Sequence, residues 1–177
     1  MGVVPIDGVR SQVLPEQFSA FYDAAFGDVH RYLLRAALGD HALAEDLTQE
    51  TFMVALVAAR SGRSEAMSIA WLMGVARHKM IDHYRKATRD ERRATLLMAG
   101  TDGVAEFESL ADQEPARIVH ALRALSSEHR LVLVLKYLDD LTVQQLASAL
   151  DRSPQAIESL LARARRALVR EVREAAS

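Results

Sequence analysis

The stretch from Ile69 to Arg89, IAWLMGVARHKMIDHYRKATR, asks two things of one helix. Ile69, Leu72, Ala76, Met80, Tyr84 and Ala87 recur every three or four residues, the spacing of an apolar stripe that packs inward. Trp71, His78, Asp82, Arg85 and Arg89 fall on another face, and Arg77, Lys79 and Lys86 add charge around it. Between Arg77 and Arg93 there are seven Lys/Arg against three Asp/Glu, in a chain whose formal net charge is −2. A local basic surface with aromatic rings among it suits phosphates and base faces. The plainer alternative is the solvated side of an ordinary core helix.

The charge is segregated along the chain. Seven acidic residues and two Arg lie between Glu16 and Glu50, and Ala99 to Glu114 has five acidic residues and no basic ones. The basic charge collects in Arg77 to Arg93 and in Arg152 to Arg173. A nucleic-acid binder can have a near-neutral total if its acidic part faces something else. With 177 residues, half of them hydrophobic, the chain can build one domain or two small ones and is not disordered throughout. It has no cysteine, which excludes disulfides and cysteine-bound zinc and fits an intracellular protein. No apolar run approaches the roughly 20 residues that span a bilayer. The opening MGVVPIDGVR is too short and polar for a signal peptide. A cytoplasmic protein without membrane insertion is expected.

Helices follow one another along the chain. Pro15 opens the first, whose stripe is Phe18, Phe21/Tyr22, Ala25, Val29, Tyr32/Leu33 and Ala36. Gly39 ends it and Asp40 can cap the next. That second helix, His41 to about Ala59, buries Leu43, Leu47, Thr51, Val54 and Ala58, and turns Glu45, Asp46, Gln49 and Glu50 outward. A loop around Gly62 precedes the basic helix, which begins near Ser68. Residues 99–113 read as an acidic linker between a domain over 15–98 and a domain over 114–177, with 1–14 a flexible N-terminus.

In the second domain a short helix from Pro115 to Leu125 is followed by EHRLVLVLKYL, capped by Ser126 or Ser127. VQQLASAL, a tight turn at Asp151-Arg152, and a long helix from Gln155 to about Arg173 form a helix-turn-helix. Ser153 is a good N-cap and Pro154 a good first helical residue. Ile157, Leu160/Leu161, Ala164 and Leu168 face inward, leaving Gln155, Glu158, Ser159, Ala162, Arg163 and Arg166 outward, where a recognition helix meets bases and phosphates. A plain helical hairpin is the simpler reading of the same pattern.

Nothing here calls for a cofactor, a metal or catalysis. There is no glycine-rich phosphate loop. His41 with Glu45 and His78 with Asp82 are spaced i,i+4, but neither pair has an evident third ligand. No nucleophile stands beside a base, so the chain does not read as an enzyme.

ALAEDLTQETF (Ala42 to Phe52), WLMGVARHKMIDHYRK (Trp71 to Lys86) and the helix-turn-helix ending in ARARRAL (Ala162 to Leu168) together resemble a bacterial RNA polymerase sigma factor of the sigma-70 family, extracytoplasmic-function group. The resemblance runs from about Phe18 to Val172 and implies an all-α fold of two helical domains, regions 2 and 4, on a flexible linker. It implies that Asp46, Leu47, Gln49, Glu50, Thr51 and Phe52 bind the clamp helices of the largest subunit of core RNA polymerase. It assigns Arg63, Trp71, Arg77, His78, Lys79, Asp82, Tyr84, Arg85 and Arg89 to recognising and melting the −10 promoter element, with the loop from Arg60 to Met67 selecting a flipped base. It assigns Ser153, Gln155, Glu158, Ser159, Ala162, Arg163 and Arg166 to the −35 element. An anti-sigma factor, often membrane-linked in this group, is a further implied partner. The acidic linker resembles the connector that threads through polymerase.

The helix-turn-helix departs from the family in places. Glycine is common where Asp151 and Gln155 stand, and Glu158 and Leu160 replace residues that are often Lys and Arg. Asp can adopt the left-handed conformation the turn needs, and a carboxylate at position 158 can accept from cytosine N4 while repelling phosphate. Two other readings compete. A stand-alone helix-turn-helix regulator leaves AEDLTQETF unexplained, and a helical interaction module leaves both basic clusters without a purpose.

Overall fold

A computed structural model describes residues 15–61, 67–95 and 115–175. The described secondary structure is entirely α-helical: α1 (Pro15–Ala36), α2 (His41–Arg60), α3 (Ile69–Thr95), α4 (Pro115–Ala124), α5 (Ser127–Tyr137), α6 (Val143–Leu150) and α7 (Pro154–Glu174). The fold is the all-α architecture that the 3.6-residue stripes predict. By internal contacts the chain forms two compact units, 1–79 and 80–177, the division falling within α3. The acidic stretch 99–113 and residues 1–14 lie outside the described residues.

In the first unit α1 and α2 form a helical hairpin. Its tight turn uses two left-handed residues, Leu38 (φ 55°) and Gly39 (φ 82°). Glycine takes this conformation freely, whereas for leucine it costs roughly 1–2 kcal/mol. The N–H of Gly39 donates to the Leu34 carbonyl at 2.8 Å. Asp40 then caps α2, accepting from the Leu43 N–H at 3.1 Å. Ala25, Val29, Leu33, Ala44, Leu47, Ala55, Leu72 and Ala76 are buried. Removing each leucine from water stabilises the unit by about 1.5–3 kcal/mol. The buried side of α2 is broader than expected: Leu43 and Val54 are half-buried, while Thr48, Phe52 and Ala59 are inside.

The second unit contains the end of α3 and α4 to α7. Met80, Ile81 and Tyr84 are buried on α3, together with Leu131–Leu135 on α5, Leu146 on α6, and Ile157, Leu160, Leu161, Ala164 and Leu168 on α7. Ile81 is an addition to the α3 stripe, whereas Ile69 in the first turn is exposed and Ala87 half-buried.

Its helix ends are satisfied individually. Ser126 caps α5. Thr142 and Gln145 form a reciprocal capping box on α6, which satisfies two N–H groups at once. Arg130 of α5 donates to the carbonyls of Leu122 and Leu125 at 3.0 and 2.9 Å, and to that of Arg123. A cation there complements the C-terminal end of α4. Asp151 closes α6 in the left-handed conformation at φ 53°, ψ 56°. Ser153 caps α7 through the Ala156 N–H at 3.2 Å, with Pro154 in its first turn.

Candidate functional site

The outward face of α2 divides the residues expected to meet polymerase. Asp46, Gln49 and Glu50 are exposed, while Leu47, Thr51 and Phe52 are buried. The periodicity explains the division: 47, 51 and 52 lie on the core side, where Thr51 Oγ1 donates to the Leu47 carbonyl at 2.7 Å. The Phe52 ring lies 4.5 Å from Tyr22 and 6.2 Å from Phe26, centroid to centroid. These three therefore shape the surface from beneath. Sequence reasoning missed Met53 and Val57, which are 59% and 54% exposed. Their i,i+4 spacing on the outer side of α2 was the available signal. They line a groove of about 720 Å³ with Asp46, Gln49, Glu50 and Trp71. Lys79 also borders it, and its ammonium pairs with Glu50 at 3.0 Å. An apolar floor edged by carboxylates and an amide suits a basic, partly apolar helix.

On α3, His78, Asp82 and Arg89 are exposed, and Trp71, Arg77, Lys79 and Arg85 half-buried. The N–H of Trp71 donates to Ser68 Oγ at 3.1 Å, so a serine just before the helix holds its first turn. Tyr84, expected in the DNA-reading set, is 2% exposed. It continues the buried line of Leu72, Ala76 and Met80, and the Arg130 guanidinium sits over its ring at 5.9 Å. Its aromatic face serves the core. Arg63 and most of the loop expected to select a base lie outside the described residues.

On α7 the inward and outward residues separate clearly. Gln155, Glu158, Ser159, Ala162 and Arg163 are exposed and Arg166 half-buried, above the buried line from Ile157 to Leu168. Ser153 is exposed too, although its hydroxyl is used in the cap. Leu160, where the family often has a basic residue, is in the core.

A charged cluster escaped the sequence reading because its members lie far apart in the chain. Glu128 Oε1 accepts from Arg92 at 2.9 Å and from Arg152. Burial alone would raise the Glu128 pKa, but Arg152 and then Arg92 more than offset it and hold the carboxyl below its ordinary value.

Residues 21–90 match the family described as Sigma-70 region 2, and residues 116–168 match Sigma-70, region 4. The ECF RNA polymerase sigma factor SigC of Mycobacterium tuberculosis is 32% identical over 155 residues, covering 85% of this chain and 80% of that protein. The chain belongs to the ECF RNA polymerase sigma factors. SigM of Bacillus subtilis, another of them, is 31% identical over 154 residues, 83% of this chain and 90% of its own length. BldN of Streptomyces coelicolor is 30% identical over 159 residues, 88% of this chain, which spans 60% of BldN. The sigma factor RpoE from Bartonella quintana, solved in complex with the anti-sigma factor NepR, shares the fold at a TM-score of 0.51 and 20% identity, over 89% of this chain and 98% of that one. For this sigma factor, the region 2 match accounts for AEDLTQETF, which a stand-alone regulator left without a role.

Proposed function

We propose that this sigma factor binds core RNA polymerase through the outer face of α2 and carries it to promoters. There α7 reads the −35 element as duplex and α3 engages the −10 element as it opens. It works in the cytoplasm, where polymerase and DNA are, and supplies binding energy in place of chemistry. The two regions act as the functional domains, 15–98 and 114–177, with 99–113 as connector. An anti-sigma factor completes the partner set, competing for these same surfaces.

The observation that carries this reading is the outer face of α7. Gln155, Glu158, Ser159, Ala162 and Arg163 stand exposed over a continuous buried line, behind a capped and sharply turned N-terminus. A recognition helix needs this arrangement to enter the major groove, where each good base contact discriminates by about 1–3 kcal/mol. For α3 the requirement differs. Opening DNA costs about 1–2 kcal/mol per base-pair step, so Trp71 must replace lost stacking while Arg77 and Arg89 neutralise phosphate. On α2, the carboxylates of Asp46 and Glu50 beside Met53 and Val57 match a partner helix that is basic at its rim and apolar at its centre.

The test is transcription by bacterial core polymerase from a promoter library, with and without the purified chain. Chain-dependent transcripts sharing −35 and −10 sequences support the reading. Tight binding of a dimer to duplex DNA, with no transcript from any promoter, overturns it.

A further inference from the structure

On α1 the rings of Phe18, Tyr22, Phe26 and His30 recur every fourth residue, which sets them one above another along the helix. Tyr22 and Phe26 are 37% and 38% exposed. Their centroids lie 5.3 Å apart, and the His30 ring stacks on Phe26 at 5.7 Å with the two planes 1° from parallel. His30 Nδ1 in turn lies 3.4 Å from Thr48 Oγ1 on α2. This aromatic row is one wall of a groove of about 610 Å³, and Phe52, Met53 and Leu56 of α2 form the other. Rings held in place by one another and by α2 present a formed apolar surface, which favours an apolar occupant.

The chain carries such an occupant beside the groove. Residues 1–14 run directly into Pro15 and include Val3-Val4-Pro5-Ile6. Proline fixes its own φ and biases the residue before it toward extended backbone, so this run favours the shape that lies along a groove between two helices. The tether is long enough. Ile6 precedes Pro15 by nine residues, a reach of up to about 30 Å, whereas His30, at the far end of the groove, lies roughly 22 Å along α1 from Pro15. A tether of this length also keeps the run at an effective concentration on the order of millimolar, ahead of any separate molecule of similar affinity. We infer that residues 3–6 dock in the aromatic groove between α1 and α2 as an intramolecular strap that completes the apolar core of the hairpin. Gln49 and Met53 line this groove and also the one beside Trp71. The strap therefore forms one edge of the face proposed to meet polymerase and leaves the Trp71 groove open for a partner helix. The docking itself requires no polymerase, so it stands or falls apart from the proposed function.

The chain has no cysteine, so a single Gly2→Cys substitution carries a nitroxide next to the docking run without altering it. Paramagnetic broadening is then measured by NMR on the full chain, with and without Val4→Ser and Ile6→Ser, which keep the tether and its charge. The strap broadens Tyr22, Phe26 and His30 more than Val57 on the other groove. The double serine change lowers that broadening about threefold or more, because it follows the docked population. Phe26→Ser, which removes an exposed ring, lowers the broadening of Tyr22 in the same way. Equal broadening with and without the serine substitutions means only that the tether is near, and overturns the strap. Broadening that fades on dilution assigns the groove to a second copy of the chain and overturns it too.

Discussion

At the scale of single residues, Glu128 gives a prediction with a definite sign. Its pKa is lowered in the folded chain: burial opposes this, but Arg152 and Arg92 prevail. A carboxyl with a depressed folded pKa contributes stability that is present above the ordinary glutamate pKa, roughly 4.3, and is lost as pH falls through the folded value. Urea unfolding should therefore show the unaltered chain exceeding Glu128→Gln in stability at pH 7, with the gap closing below about pH 4. A gap that widened in acid would mean that Glu128 is not held as an anion. Glu158, exposed on α7, has a different expected effect. Glu158→Ala should change which −35 sequences are selected more than it changes total affinity, because a carboxylate discriminates at a base edge while opposing phosphate. Selection from randomised −35 duplexes reads both quantities; a uniform affinity change with the same preferred sequence would contradict the assignment.

At the scale of elements, the stripes and caps were largely legible. Pro15, Asp40, Ser126, Ser153 and Pro154 stand at or beside the observed helix starts because caps and first-turn prolines act over three or four residues; the capping box of Thr142 with Gln145 went unread. The turn at Asp151 was legible from the chain itself, and its left-handed conformation from the glycine common at that place in the family it resembles. Less visible was anything set by partners distant in sequence. Arg130 crossing back to the end of α4 and Glu91 reaching Ser127 across 36 positions depend on which helix lies alongside. Tyr84 is the opposite case: its place four residues after Met80 marks it as inward and it is buried, although the family resemblance set it among the DNA-reading residues. The caps can be tested directly. Thr142→Ala should cost about 1 kcal/mol of stability through loss of the capping box. Asp151→Gly should be neutral or slightly stabilising, and Asp151→Val should cost upward of about 1 kcal/mol, since a β-branched residue resists positive φ. Thermal unfolding measures all three; an Asp151→Val chain as stable as the unaltered one would argue that the turn changes conformation.

At the scale of the whole molecule, two sequence blocks and a helix-turn-helix were enough to suggest the family, and the region 2 and region 4 matches establish it. What remained illegible was how one helix shares its length: α3 has Trp71 and Lys79 in the first unit and Arg85, Glu91 and Arg92 in the second. A hydrophobic period marks a buried side but does not name the neighbour it is buried against. The acidic stretch makes a further prediction at this scale. Replacing Asp102, Glu106, Glu108 and Asp112 with Ser should weaken holoenzyme assembly or alter the escape of short transcripts, if negative charge in the connector matches a basic channel. Native electrophoresis and abortive-product ratios read these effects, and no change in either would remove that role.

The central claim is that the chain makes polymerase open DNA at a promoter, and thymine reactivity to permanganate in the −10 region measures it most directly. Core polymerase with the unaltered chain should give reactive thymines at a library-derived promoter. Trp71→Ala with Arg77→Ala should greatly reduce that reactivity while core binding persists, and Asp46→Lys with Glu50→Lys should abolish it by preventing assembly. Protection of the −35 duplex by the chain alone, with no reactive thymine whenever polymerase is added, would contradict the account.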